Sequence, residues 1–214
     1  MALVLFLGAC KKNNYLTDTG VSKPNVNMTT YDYLASNPNF TQLAHLIDRA
    51  GLKDMVNGNI TFFAVTNYGV NDWVAVRRAI KVQQTNNENI VYTIDSIPVS
   101  TFKDSLLTYM FDGKITRDNL TVSGNVYDSK LGPYSNITYL IKLRRVTNQY
   151  TAYLDHVDYI NFTKVIAQRD DLVSDINTVP TAQRDKSFDC QTTGLITTTG
   201  VVHVLDGLHK LFFN

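Results

Sequence analysis

The stretch Thr197–Asn214, TTTGVVHVLDGLHKLFFN, decides how this chain is read. It sets His203 and Asp206 three residues apart, with His209 three further on, and so poses a choice between catalytic chemistry and closure of a fold. In an extended strand side chains alternate, so Val201, His203 and Leu205 share one face while Val202 and Val204 share the other. Apolar residues on both faces predict a strand covered on both sides. His203 then stands in line with apolar neighbours, where a buried neutral imidazole bonded to backbone or hydroxyl is expected rather than a catalytic base. Asp206 follows the strand and can accept backbone N–H bonds at the turn. Leu208, Leu211 and Phe212 recur at helical spacing, and His209 falls off that stripe, toward solvent. The block reads as one that closes a fold.

Asn59–Val65, NITFFAV, is a continuous apolar run of strand length. Thr66-Asn67 behind it is a good cap for a helix through GVNDWVAVRRAIKV (Gly69–Val82). Upstream, Leu43, Leu46, Ile47 and Ala50 lie at helical spacing, led by Phe40, with a break at Pro38 and Gly51 as a stop. Ser100 or Thr101 can cap a further helix, FKDSLLTYMF (Phe102–Phe111), closed by Asp112-Gly113. Later the texture becomes strand-rich: Thr138–Ile160 reads as two long strands about a turn at Thr147-Asn148-Gln149. Helices early and strands late predict an α+β domain rather than a doubly wound parallel sheet.

A chain of 214 residues with 44% hydrophobic content suits one well-buried domain. Lys and Arg total 20 against 19 Asp and Glu, so no field of one sign steers it toward polyphosphate, and nucleic acid is not an expected partner. The first nine residues, MALVLFLGA, are far short of the ~20 apolar residues a membrane span needs and end in small residues before Cys10, which reads as an export signal over residues 1–9. Leu7-Gly8-Ala9-Cys10 resembles the lipobox of bacterial lipoproteins, which implies cleavage before Cys10 and lipidation of its thiol. The apolar run lacks the basic residues that usually precede it. Residues 10–27 are polar and without a period, as in a flexible tether, and one domain is expected over residues 28–214. Lipidation of Cys10 leaves Cys190 without a disulfide partner.

ITFFAVTNYGVNDW (Ile60–Trp73) and GVVHVLDGLHKLFF (Gly200–Phe213) together resemble the two end signatures of the fasciclin-type FAS1 domain, T-F-F-A-P-T-N-x-A-F and N-G-V-I-H-V-I-D-x-V-L. Thr66, Asn67, Gly200, His203 and Asp206 occupy motif positions. The resemblance implies the FAS1 fold, a wedge-shaped, sandwich-like sheet core with several helices packed around one side. Val65 stands where the family has proline, Thr199 replaces the Asn before Gly200, and the family's Tyr-His pair is Tyr109-Met110. The Asp-Ile motif of metazoan adhesion members falls on Leu195-Ile196, so a role carried by that Asp or His does not transfer.

Catalytic patterns are sparse. The sequence contains no G-x-S-x-G, no G-x-G-x-x-G, no P-loop and no C-x-x-C, so no metal or cofactor is expected. Asp155, His156 and Asp158 form the best remaining cluster, with His156 and Asp158 on one strand face, but two ligands do not make a metal site. Arg77-Arg78 and Arg144-Arg145 are the basic pairs within the domain, and strand alternation sends the latter two to opposite faces. Tyr127, Tyr134 and Tyr139 lie in or beside a turn-rich stretch and are candidate contact residues for a sugar or protein. The expectation is a non-enzymatic, lipid-anchored FAS1 protein of a Bacteroidetes-like outer membrane, on its surface or periplasmic face. It would bind a protein or glycan as an adhesin, or as an accessory subunit of a glycan-uptake complex around a TonB-dependent transporter. An envelope hydrolase using the Asp155, His156 and Asp158 strand, and a purely structural spacer, are the alternatives.

Overall fold

The computed structural model describes residues 25–132, 137–147 and 155–213. The export segment, Cys10, Tyr134 and the turn at residues 148–149 lie outside the described residues. The chain is α+β: helices α1 (Thr30–Ser36), α2 (Thr41–Ala50) and α3 (Lys53–Val56) precede strand β1 (Ile60–Ala64) and the long helix α4 (Asn67–Thr85). After the short helix α5 (Lys103–Leu106) come β2 (Met110–Asp112), β3 (Asn125–Tyr127), β4 (Thr138–Thr147), β5 (His156–Val165), β6 (Lys186–Ile196) and β7 (Val201–Leu205).

The chain breaks after α1 around Pro38, and α2 buries Leu43, Ala44, Leu46, Ile47 and Ala50 on one stripe. Gly51, at φ 67°, ends it in the left-handed cap that glycine adopts without a Cβ penalty. Phe40, at the N-cap of α2, offers no side-chain acceptor to the free N–H groups. Asn67 supplies one from elsewhere in the chain: its Oδ1 accepts from Gln42 N–H at 2.9 Å, and its Nδ2 donates to Pro38 O at 2.8 Å and Thr41 Oγ1 at 3.0 Å. Thr66 does occupy the N-cap of α4, but its hydroxyl makes no capping bond. The Thr-Asn pair therefore starts one helix by backbone geometry and ties down the start of another.

The seven strands run in the order β2-β1-β7-β6-β5-β4-β3. The two end blocks of the domain meet at the heart of this sheet, β1 beside β7 in parallel register with Thr61 opposite Val201 and Phe63 opposite His203. Both strands are buried at all five positions. Gly200 is required at this junction, since a Cβ there would stand 2.4 Å from the Ile60 carbonyl oxygen. β6 pairs with β5 through its first half and with β7 through its second, turning at a bulge where Thr192 faces Val204 and Leu195 faces Val202. The sheet curls so far that Phe63 of β1 stacks on Phe162 of β5, ring centroids 4.4 Å apart. Lys130 N–H donates to Met110 O at 2.7 Å and Tyr127 packs edge-on against Phe111, which brings the β3 and β2 ends together in a nearly closed wall.

Two expectations fail here. Phe102–Phe111 is not one helix: α5 ends at Leu106, one tight turn follows, and Met110–Asp112 pairs with the open edge of β1. An apolar run of that length serves either element, and the unpaired backbone of β1 decides between them. Leu208, Leu211 and Phe212 do not form a helical stripe: only a single tight turn spans Leu211–Phe213, with Phe212 at φ 63°. Leu208 is exposed and His209 is buried, the reverse of the helical reading. The Asp206 carboxylate accepts from both Leu208 and His209 N–H at 3.1 Å, and this turn swings the imidazole inward. There it meets Phe188, Tyr109 and Phe213 edge to face, and its Nε2 lies 2.8 Å from the Tyr109 hydroxyl.

Candidate functional site

The residues singled out in the sequence are mostly committed to structure. His203 is fully buried; its Nδ1 accepts from Gly194 N–H at 3.0 Å, which leaves the proton on Nε2, donated to Ile115 O at 2.8 Å. Burial pushes its pKa down to about 4, so the ring is neutral at pH 7 and locks the β6 bulge. Tyr139 is a correction: it lies in the core, stacked on Phe162 with ring centroids 5.3 Å apart, and cannot present its face to a ligand. It faces inward because it shares the sheet face of Ile141 and Phe162. Tyr127 is half-buried at the edge of the same wall.

The Asp155, His156 and Asp158 cluster resolves into ion pairing. Asp158 receives Arg145 Nε at 2.8 Å and Nη2 at 3.0 Å, while His156 Nε2 stands 3.6 Å away. The Arg145 hydrogen bonds hold the Asp158 carboxyl below its ordinary range, which makes it a poor general base. Arg144 on the opposite face pairs with Asp189. Among the described residues no group of three His, Cys, Asp or Glu is placed to hold a metal ion. Cys190 is buried with its thiol pKa pushed well up by desolvation, an unreactive state.

Uncommitted chemistry gathers instead on α4. Its first half is anchored by Gly69, Val70 and Trp73, all buried. Its second half stands clear of the body, leaving Val76 and Ile80 nearly half exposed, at 46% and 48%. Beside it the chain returns through residues 92–98, held by Arg49, whose guanidinium donates to Ile94 O at 2.6 Å and Ile97 O at 2.8 Å and lies over the Phe102 ring. Between helix and returning segment lies an open groove of about 290 Å³, lined by Arg77, Ile80, Lys81, Gln84, Tyr92, Ser96 and Pro98. Arg77 stacks over the indole of Trp73 at 4.9 Å, and its Nε is buried without an acceptor.

Sequence reasoning saw only the Arg77-Arg78 pair in this region. Trp73, Val76 and Ile80 recur at helical spacing within the helix expected over Gly69–Val82. Nothing local says that the body stops beneath the first two turns. A larger cleft of about 470 Å³ lies at Ala167, Gln168, Thr178, Val179, Pro180 and Gln183, between β5 and β6, and carries no ionisable side chain.

No family model matches the chain. No curated protein matches it in sequence. Fifteen chains among solved structures match, one of them a FAS1 domain pair from the insect cell adhesion molecule Fasciclin I, reported as a novel fold. That similarity has a TM-score of 0.49 at 12% identity and covers 84% of this chain and 49% of the other, so this chain spans about half the length of the pair.

Proposed function

We propose that the chain is a non-enzymatic FAS1-type binding domain of a bacterial cell envelope, and that it takes a protein or glycan in the groove beside α4. The observation that carries this reading is the projecting half of α4. A helix that leaves Val76 and Ile80 in water beside the cations Arg77 and Lys81 keeps apolar area and charge free for a partner. The FAS1 assignment is supported by the two sequence blocks, which the fold brings together as adjacent strands β1 and β7.

The test is an array of extracellular proteins and glycans probed with the purified full chain and with Ile80→Asp. A ligand of the wild type should bind the variant at least about tenfold more weakly, since a carboxylate placed in an apolar contact costs on the order of 1.4 kcal/mol or more. Ile80 is half in solvent, so melting temperature should hold. Equal binding by the variant removes the groove as the site. Turnover of an ester or glycan that His156→Ala abolishes would establish the hydrolase reading instead.

The envelope location rests on the lipobox-like Leu7–Cys10 stretch, and with it an outer-membrane partner such as a transporter complex. Cys10→Ala should move the chain from the membrane fraction to the soluble fraction of its host. Unchanged membrane retention would rule out the lipid anchor.

A further inference from the structure

The groove's chemistry narrows its occupant, on the premise that the groove is the binding site proposed above. We propose that it receives a short acidic and partly apolar segment of a partner polypeptide, with carboxylates on Arg77 and Lys81 and apolar side chains against Val76 and Ile80.

Charge is the first argument. The lining holds two cations and no carboxylate. Asp95, beside Ser96, is turned to His45 at 2.6 Å and Arg49 at 3.8 Å. None of the ion pairs among the described residues uses Arg77, Arg78 or Lys81. Arg78 donates to the backbone carbonyl of Glu88, at 2.8 Å. Elsewhere in the domain Arg144 pairs with Asp189, Arg145 with Asp158 and Arg169 with Asp171. The basic stripe of α4 is left without that partner.

Geometry is the second. The Arg77 guanidinium lies over the Trp73 indole, and its two terminal nitrogens are donors that a carboxylate can take in two-point fashion. Ile80 in the lining, with Val76 one turn before it outside the lining, adds an exposed apolar ridge beside the cations. Such a ridge matches leucine-like side chains between acidic residues. The sugar face of a uronic acid polymer carries hydroxyls there instead, which favours the polypeptide. At about 290 Å³ the groove is at the low end of ligand sites and open, which suits a few residues of extended chain.

The chain has a single tryptophan, Trp73, and it lies under Arg77, so its fluorescence reports on the groove. The probe is a terminally blocked hexapeptide of alternating glutamate and leucine, titrated into the full chain and checked by calorimetry. The expected result is a saturable fluorescence change, with affinity falling about fivefold or more as salt rises from about 50 to about 500 mM, because screening shortens the reach of the exposed cations. Lys81→Glu, on the exposed helix face, should bind at least about tenfold more weakly at unchanged melting temperature, and so should wild type with a glutamine–leucine hexapeptide. Equal binding of the glutamine peptide, or no binding of the acidic one, overturns the proposal. Tighter binding of a galacturonate oligomer than of the peptide, lost in Lys81→Glu, also overturns it while leaving the groove as the binding site. Acidic-peptide binding indifferent to both Lys81→Glu and Ile80→Asp would overturn the groove itself.

Discussion

Gly69→Ala is expected to destabilise the domain by about 3 kcal/mol or more, although helix propensity alone would have it gain about 1 kcal/mol. Gly69 lies in the first turn of α4, where a Cβ would stand 2.3 Å from the carbonyl oxygen of His209 and 2.8 Å from Cγ1 of Val65. The nearer of these is backbone, and it belongs to a segment fixed by the Asp206 turn and by the rings around His209. The helix or the C-terminal segment must move, and either motion disturbs Trp73, which packs against Phe212. For a domain of this size the loss corresponds to a fall in melting temperature of roughly 6–12 °C. Gly51→Ala is the control: its Cβ meets nothing within 4 Å, so only the cost of a left-handed alanine remains, about 1 kcal/mol. A Gly69→Ala variant more stable than wild type would show that α4 is free to shift from the C-terminal segment.

Acid should destabilise the domain before its carboxylates titrate. Burial pushes His203 down to about 4 and His209 to about 3, against an ordinary value of 6.5. Both rings are therefore neutral when folded and take up protons more readily when unfolded. Their contribution is complete above pH 6.5 and is lost as pH falls through the window from 6.5 down to those folded values. At pH 5 the two together have lost about 4 kcal/mol, a large share of the 5–15 kcal/mol that holds a typical domain. His203 cannot accept the proton in place, because a second N–H at Nδ1 would point at the N–H of Gly194. His209 has its Nε2 at 2.8 Å from the Tyr109 hydroxyl, whose oxygen also accepts from Phe212 N–H at 2.7 Å. Its Nδ1 is buried without a partner, so the doubly protonated ring would hold an N–H there with no acceptor. Asp158 and Asp171, held low by arginine hydrogen bonds, begin to lose their contribution only as pH falls through the ordinary carboxylate value of 3.8, so a measurement at pH 5 reads the imidazoles. Urea unfolding at pH 7 and pH 5 measures the difference. Equal stability at the two values would mean that both imidazoles take up their protons inside the folded domain.

Much of the architecture was legible because it rests on local patterns. Alternation over Val201–Leu205 and the continuous apolar run Ile60–Ala64 predict buried strands, and both lie at the centre of the sheet. Leu43 to Ala50 with Gly51 behind them predict a helix and its end, and both are present. The acceptor role of Asp206 was equally readable, since a carboxylate one residue past a strand has N–H groups within reach. The candidate groove was not legible. Val76 and Ile80 continue the spacing of Trp73, and period alone cannot say how far the protein body extends beneath a helix.

Sequence by itself determined the α+β class, the central strands, the helix that follows β1 and the turn after β7, because each depends on contacts between near neighbours or on the period of apolar residues. Tertiary structure alone decided the rest: that Met110 and Phe111 complete a sheet edge, that Tyr139 is core, that His209 is buried and that half of α4 is uncovered. In each of these a residue's environment comes from chain tens of residues away, and burial and pairing across such distances leave no mark on the local pattern.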